Sequence, residues 1–182
     1  MFLASGQNKT VLQRTYNALD LPLALNLTPG ATQSRMLSGA SASVLTTLQT
    51  TNSTFNDHTR GSDPTVFASN SNLTSTFRVL STNKGRDGHP FVSTIEGVEL
   101  PLYGSQWHPE KVQFEWNPKE AIPHDEAAVL ANGYFSAFFG AEARKNAASF
   151  PSPSAAEEAL IYQFNPVYTG NSTMFTQCYF FD

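Results

Sequence analysis

The chain has 182 residues, of which 40% are hydrophobic and 12% aromatic, which is enough to bury one sizeable core within the size of one domain. Only 14% of the residues are charged and the net charge is -4, without a basic block, which disfavours nucleic acid and anionic membrane surfaces as partners. No apolar run approaches the roughly 20 residues that cross a bilayer, so no membrane span is predicted. His58 and His89 are isolated from each other and from any cysteine, so we expect no metal site and no cofactor.

The first half of the chain is predicted to alternate between short strands and a short helix. Leu21 to Leu27 has the pattern of a strand and Ala42 to Gln49 that of a helix. Residues 50–72 are polar and rich in Asn, Ser, Thr, Gly and Pro, which predicts a long surface loop. Ser75 to Thr82 and Phe91 to Glu96 read as two strands, and the two glycines between them favour a hairpin.

The second half is predicted to contain one more strand and one long helix. Val98 to Gln106 has strand character, and Asp125 to Lys145 has the spacing of a helix with acidic residues first and basic residues last. Residues 149–154, with two prolines, predict a linker into a carboxyl-terminal segment. Six apolar residues of the helix form the stripe expected to face a core: Ala127, Leu130, Tyr134, Phe135, Phe138 and Phe139. The elements alone predict a mixed α/β fold, and the architecture that fits them is a mostly parallel sheet flanked by helices, with an inserted hairpin.

The strongest chemical motif stands where the strand Val98 to Gln106 ends. His108 is followed two residues later by Glu110, with Pro109 between them. A histidine exchanges protons near neutrality, and a carboxylate on its far ring nitrogen fixes the tautomer and stabilises the imidazolium. Proline disfavours a continued sheet ladder, so we expect the pair just past the strand's end, where α/β sheets place their sites. The alternative is a structural histidine beside a surface charge.

Several segments in order resemble one known family. The run Gly104 to Lys111 resembles the histidine-glutamate strand end of class I glutamine amidotransferase-like hydrolases. Tryptophan at position 107, where many amidotransferases have phenylalanine, resembles the gamma-glutamyl hydrolases. Further segments resemble the same family along nearly the whole chain: Leu25 to Thr28, Ser34 to Met36, Phe77 to Thr82, Phe91 to Gly97, Glu142 to Asn146 and Ala159 to Phe164.

The resemblance implies a flavodoxin-like fold of the amidotransferase type and a cysteine-type omega-peptidase. Its substrate would be folate poly-gamma-glutamate, with His108 and Glu110 as catalytic residues. Phe2 to Gly6 resembles the end of the helix after the family's nucleophile elbow, which implies that the catalytic cysteine and the first strands precede Met1. Residues 1–182 would then be the carboxyl-terminal part of a single domain that is inactive by itself. A homodimer stays open as the assembly.

Two other functions remain open at this stage. A glutamine amidotransferase subunit would use the same residues but pass ammonia to a partner. A catalytically inactive truncated glycoprotein would lack the nucleophile altogether. A Gly-x-Cys-x-Gly-like turn upstream of Met1 would separate the two enzymes from the inactive protein.

Five Asn-x-Ser/Thr sequons predict surface loops of a glycosylated protein in the secretory pathway, with the lysosome, the vacuole and the exterior as destinations. They begin at Asn8, Asn26, Asn52, Asn72 and Asn171.

Three other side chains are candidates for a functional role. His58 lies in a segment that resembles an Asn-His segment of the family's substrate cleft, so we expect it to contact the glutamyl carboxylates; a solvated loop histidine is the alternative. Cys178 is the only cysteine, but its aromatic neighbours predict burial rather than nucleophilic attack. His124, beside Pro123 at the start of the long helix, is expected to have a structural role.

Overall fold

The computed structural model describes residues 1, 3–13, 16–173, 175 and 177–181. They form a mixed α/β structure that divides into two compact units, Met1–Ala143 and Arg144–Asp182. The expectation that residues 1–182 belong to a single domain stays a prediction. The boundary between the units lies shortly before the predicted linker at 149–154. Prolines in that linker disfavour the continuation of a helix or a sheet. Phe2, the start of the segment interpreted as a helix end, lies outside the described residues.

The first unit contains six strands and five helices among the residues described. The strands are β1 Ala18–Leu23, β2 Asn26–Leu27, β3 Thr54–His58, β4 Phe77–Lys84, β5 Pro90–Gly97 and β6 Tyr103–Ser105. The helices are α1 Ala42–Thr50, α2 Pro64–Ser69, α3 Ser71–Thr76, α4 Pro109–Phe114 and α5 Glu126–Ala143. Short 3-10 helices form at Lys9–Val11 and Ala31–Gln33. The predicted helix at 42–49 and the two hairpin strands are therefore confirmed.

The strands form two antiparallel sheets. One has the order β2-β4-β5-β6 and the other pairs β1 with β3. The expectation of a mostly parallel sheet is therefore wrong for the described strands. The physical reason is the connections, because β4, β5 and β6 follow one another through short loops, whereas parallel neighbours need crossovers of a dozen residues or more. The predicted strand at 21–27 also divides, its two ends joining different sheets.

The predicted surface loop at 50–72 is mostly regular structure. It contains β3, α2 and the start of α3. Phe55 and Phe67 are buried and supply the apolar anchors that a polar composition concealed. Asp63 caps α2 ahead of Pro64, and Asn70 caps α3, so the polar residues that suggested a loop act as helix starts.

Helix α5 packs on the core with a narrower face than its sequence predicted. Its buried residues are Ala128, Ala131, Asn132 and Phe135. Phe135 lies in the largest apolar cluster, whose buried members also include Leu48 and Trp107. Ala127, Leu130 and Phe139 of the predicted stripe are exposed instead, because α5 meets its neighbours along one side only.

The second unit contains α6 Pro153–Glu158, a 3-10 helix at Ile161–Gln163, and strands β7 Val167–Tyr168 and β8 Gln177–Cys178. The two strands pair antiparallel, and Ser152 caps α6 through the backbone N–H of Ala155. No helix in the described part of the chain is long and apolar enough to cross a membrane.

Candidate active site

His108 and Glu110 form a hydrogen-bonded pair directly after β6. His108 Nδ1 lies 2.8 Å from Glu110 Oε1. The side chains are 36% and 60% exposed, so the pair is open to solvent on one side. A carboxylate oxygen accepts only, so Nδ1 carries the proton and Nε2 is the ring atom left for proton exchange. The geometry is that of the histidine-acid half of a nucleophile-histidine-acid arrangement.

The chain around His108 connects the two sheets. Gln106 N–H donates to the carbonyl of Ser93 on β5 at 2.8 Å, and His108 N–H donates to the carbonyl of Phe55 on β3 at the same distance. Pro109 then begins α4. The first position of a helix does not need an amide hydrogen, and the fixed φ of proline suits it. Glu110 falls in the first turn, where the helix dipole favours a carboxylate. Strand β6 therefore ends at Ser105, before Pro109, as expected from the sequence. It begins at Tyr103, later than the predicted start at Val98.

Lys111, next in sequence to Glu110, binds other carboxylates. Its Nζ lies 3.1 Å from Glu115 and 3.0 Å from Glu120, and it also sits over the ring of Phe55. Burial lowers the pKa of Lys111, but the hydrogen bonds to Glu120 and Glu115 raise it overall, so the ammonium stays charged. Lys111 therefore pairs with Glu115 and Glu120, whereas Glu110 pairs with His108.

His58 is buried at the end of β3, which excludes the solvated loop histidine. Its Nδ1 lies 2.9 Å from the carbonyl oxygen of Arg60, so Nδ1–H is the donor and Nε2 is bare. Nε2 is buried and has no hydrogen-bond partner among the described residues. Burial lowers the pKa of His58 below its ordinary value, although the hydrogen bond to the carbonyl of Arg60 opposes this effect.

The hydrogen bonding of His58 bears on the expected contact with glutamyl carboxylates, which stays a prediction. A ring whose only N–H is bound to Arg60 has no proton to donate to a glutamyl carboxylate. Its bare Nε2 instead accepts from an N–H group. The ring is held in place by an edge-on contact with Phe91 at 4.7 Å between centroids.

Sequence reasoning missed two residues that hold the site. Phe55 supplies the carbonyl for His108, and Thr94 accepts a hydrogen bond from the indole of Trp107. Phe55 lies in the segment 50–72 that was predicted as a surface loop, although a single aromatic residue within a polar stretch can indicate burial. Thr94 belongs to a predicted strand, but its partner is 13 residues away and no local pattern indicates it.

Cys178 belongs to the second unit, and His124 has a structural role in the first. Cys178 is partly buried in the second unit, with its Sγ 3.3 Å from Thr169 Oγ1, while the neighbouring Phe180 and Phe181 are exposed. His124 Nδ1 donates to the carbonyl of Val112 at 3.1 Å, and its ring stacks on Trp116 at 3.8 Å. This contact ties the start of α5 to α4 and has the structural character expected.

The five sequon asparagines are all exposed on the described surface: Asn8, Asn26, Asn52, Asn72 and Asn171. In the first of these sequons Thr10 Oγ1 donates to Asn8 Oδ1 at 2.7 Å.

Fold and site together define a mixed α/β protein with a hydrogen-bonded histidine–carboxylate pair, His108 and Glu110, after the end of a strand. No protein-family model matches the chain. Known proteins do match it. The gamma-glutamyl hydrolase of Homo sapiens is 43% identical over 167 residues, which are 91% of this chain and 52% of the relative.

Two further relatives give the same result. The gamma-glutamyl hydrolase of Bos taurus is 40% identical over 183 residues, covering 100% of this chain and 56% of the relative. Gamma-glutamyl hydrolase B of Dictyostelium discoideum is 35% identical over 167 residues, covering 92% and 48%. The chain belongs to the gamma-glutamyl hydrolase family. It spans about half the length of the curated relatives it matches.

Proposed function

We propose that the protein to which this chain belongs hydrolyses the gamma-glutamyl bonds of folate poly-gamma-glutamates. The observation that carries the proposal is the 2.8 Å hydrogen bond between His108 Nδ1 and Glu110 Oε1 at the end of β6. Such a pair suits acyl transfer with a thiol nucleophile. Relatives named gamma-glutamyl hydrolase support the type of bond that is cleaved.

In this mechanism the nucleophile is a cysteine outside the 182 residues. His108 Nε2 takes the proton of the cysteine thiol, and the resulting thiolate attacks the carbonyl carbon of the gamma-amide. His108 passes a proton from Nε2 to the amide nitrogen, the C–N bond breaks, and the glutamate amine leaves. A water molecule then gives a proton to Nε2 while its oxygen attacks the thioester carbonyl. The C–S bond breaks, the carboxylic acid is released, and Nε2 returns the proton to the sulfur. Glu110 holds the imidazole and stabilises its charged form throughout.

His58 is proposed as a substrate-binding residue in the same cleft. Its buried, bare Nε2 fits an N–H donor better than a carboxylate, and the gamma-amide N–H of the substrate is such a donor. Binding would satisfy an atom that has no partner among the described residues.

The rest of the proposal concerns the complete protein. We propose that its fold is the flavodoxin-like sheet of the amidotransferase type, with the cysteine and further strands in the half that the relatives have in addition. The exposed sequons support a route through the secretory pathway to the lysosome, the vacuole or the exterior. A homodimer is proposed as the assembly.

The test is a substrate comparison with the full-length protein. Release of glutamate from a gamma-linked diglutamyl folate is expected, and the alpha-linked isomer serves as the matched control. Release of ammonia from free glutamine, without cleavage of the folate, would favour the amidotransferase instead. Absence of both activities would contradict the proposal, and the 182-residue chain alone is expected to show neither.

A further inference from the structure

A buried hydrogen-bond chain runs from the sheet to the residue before His108. Trp107 Nε1–H donates to Thr94 Oγ1 at 3.1 Å, and Ser81 Oγ–H donates to the same oxygen at 2.7 Å. Trp107 and Thr94 are each 2% exposed and Ser81 is fully buried. A hydrogen bond without access to water is costly to leave unmade, so this arrangement tolerates little movement of the indole.

Trp107 is fixed at both ends of its ring system. The indole N–H is held by Thr94, and the ring packs edge-on against Phe135 with centroids 4.8 Å apart. The backbone on its two sides is held as well, by the Gln106–Ser93 and His108–Phe55 hydrogen bonds. The indole contacts and these two backbone hydrogen bonds therefore fix together the direction in which the chain presents His108.

The contacts of His108 itself leave its orientation under-determined. Among the residues that the structure describes, its ring hydrogen-bonds to Glu110, and that carboxylate is 60% exposed on a six-residue helix. An exposed pair of this kind is weak and is easily displaced by water. The orientation of the imidazole consequently depends on the backbone around His108, which Trp107 helps to hold in place.

We propose that Thr94 is a positioning residue that orients the His108 imidazole through Trp107. The inference rests on the proposed function, because it assigns the orientation to proton transfer at Nε2. In this proposal the indole N–H of Trp107 has a specific role, which is to bind Thr94. A phenylalanine at position 107 could not fill this role, because a phenyl ring has no N–H.

The experiment uses the full-length protein with Thr94→Val, which keeps the shape but removes the acceptor. Thr94→Ser retains the oxygen and is the rescue variant. Ser81→Ala is the matched control, because it removes the other hydrogen bond to Thr94 and leaves the indole bond in place. Rates are divided by the concentration of active sites titrated with a thiol reagent, so loss of folded protein does not count as loss of turnover.

We expect Thr94→Val to lower kcat about tenfold with KM nearly unchanged, and Thr94→Ser to restore it. Trp107→Phe should lower kcat similarly, and the double variant should lose little more, because both changes remove one bond. Unchanged kcat in Thr94→Val, or an equal loss in Ser81→Ala, would overturn the inference by showing only general loosening of the sheet.

A second measurement separates this inference from the proposed function. The ring nitrogens and Nδ1–H of His108 are followed by NMR in the same variants. The Nδ1–H resonance should persist in Thr94→Ser and be lost by exchange in Thr94→Val. Absence of any turnover in the unaltered protein would refute the function, whereas an unchanged resonance in Thr94→Val would refute the positioning role.

Discussion

Replacement of His108 and Glu110 in the full-length protein tests the roles assigned to the two side chains. His108→Ala removes the group that transfers the proton, and general acid-base catalysis typically contributes ~10²–10⁴-fold in rate. We therefore expect kcat to fall by at least about a hundredfold in this variant. Glu110→Gln keeps an oxygen that accepts from Nδ1–H but removes the charge.

The structure limits how much that charge contributes. The carboxylate and the imidazole are 2.8 Å apart but 60% and 36% exposed, so water screens their attraction. Ion pairs this exposed are typically worth roughly 0.2–1 kcal/mol, which corresponds to a loss of up to about fivefold in rate. Glu110→Ala loses the orienting oxygen too and should fall between the other two variants.

Steady-state hydrolysis of diglutamyl folate, measured by release of glutamate, gives the three rates, and circular dichroism checks folding. The expected order of activity is Glu110→Gln, then Glu110→Ala, then His108→Ala. An active His108→Ala protein would refute the assignment of the proton transfer. A Glu110→Gln protein as impaired as His108→Ala would show that the solvent-screening argument is wrong.

Three further predictions concern other residues. His58→Asn should lower kcat/KM about tenfold. Burial depresses the pKa of His58 below its ordinary value near 6.5, so the free energy of unfolding should fall as the pH drops below about 6.5. Urea titrations should show a smaller fall in the variant than in the unaltered protein. If the free energy of unfolding depended on pH equally in the variant and in the unaltered protein, the buried neutral His58 would not be the cause of that dependence. Cys178→Ser should keep most of the activity, and labelling of Cys178 by an active-site thiol reagent would contradict the upstream nucleophile. Treatment of the full-length protein from eukaryotic cells with an N-glycosidase should lower its mass, and single Asn→Gln changes should show which sequons carry glycan; an unchanged mass would contradict glycosylation.

Local patterns were sufficient wherever a structure depends on neighbours in sequence. The hairpin strands β4 and β5 and the helices α1 and α5 appear close to their predicted bounds, because alternation and helical spacing are local properties. The His108–Glu110 pair was also predictable, since two residues around a proline at a strand end are kept together by the chain itself.

Local patterns failed where the structure depends on distant partners. A polar composition at 50–72 concealed β3, whose Phe55 is completely buried. The apolar spacing of α5 did not distinguish the buried Phe135 from the exposed Leu130 and Phe139, because the neighbours that cover a helix come from elsewhere in the chain.

The motif at the end of β6 and the family it resembles were determined by the sequence alone. The tertiary structure decided how the histidine is held and what surrounds it. The carbonyl of Phe55 that binds His108 N–H lies 53 residues earlier, and the hydroxyl of Thr94 that binds Trp107 lies 13 residues earlier. The tautomer of His58 likewise follows from burial and from one backbone carbonyl. The physical reason is that hydrogen bonding and desolvation depend on which groups packing brings together, and a local residue pattern carries no record of those partners.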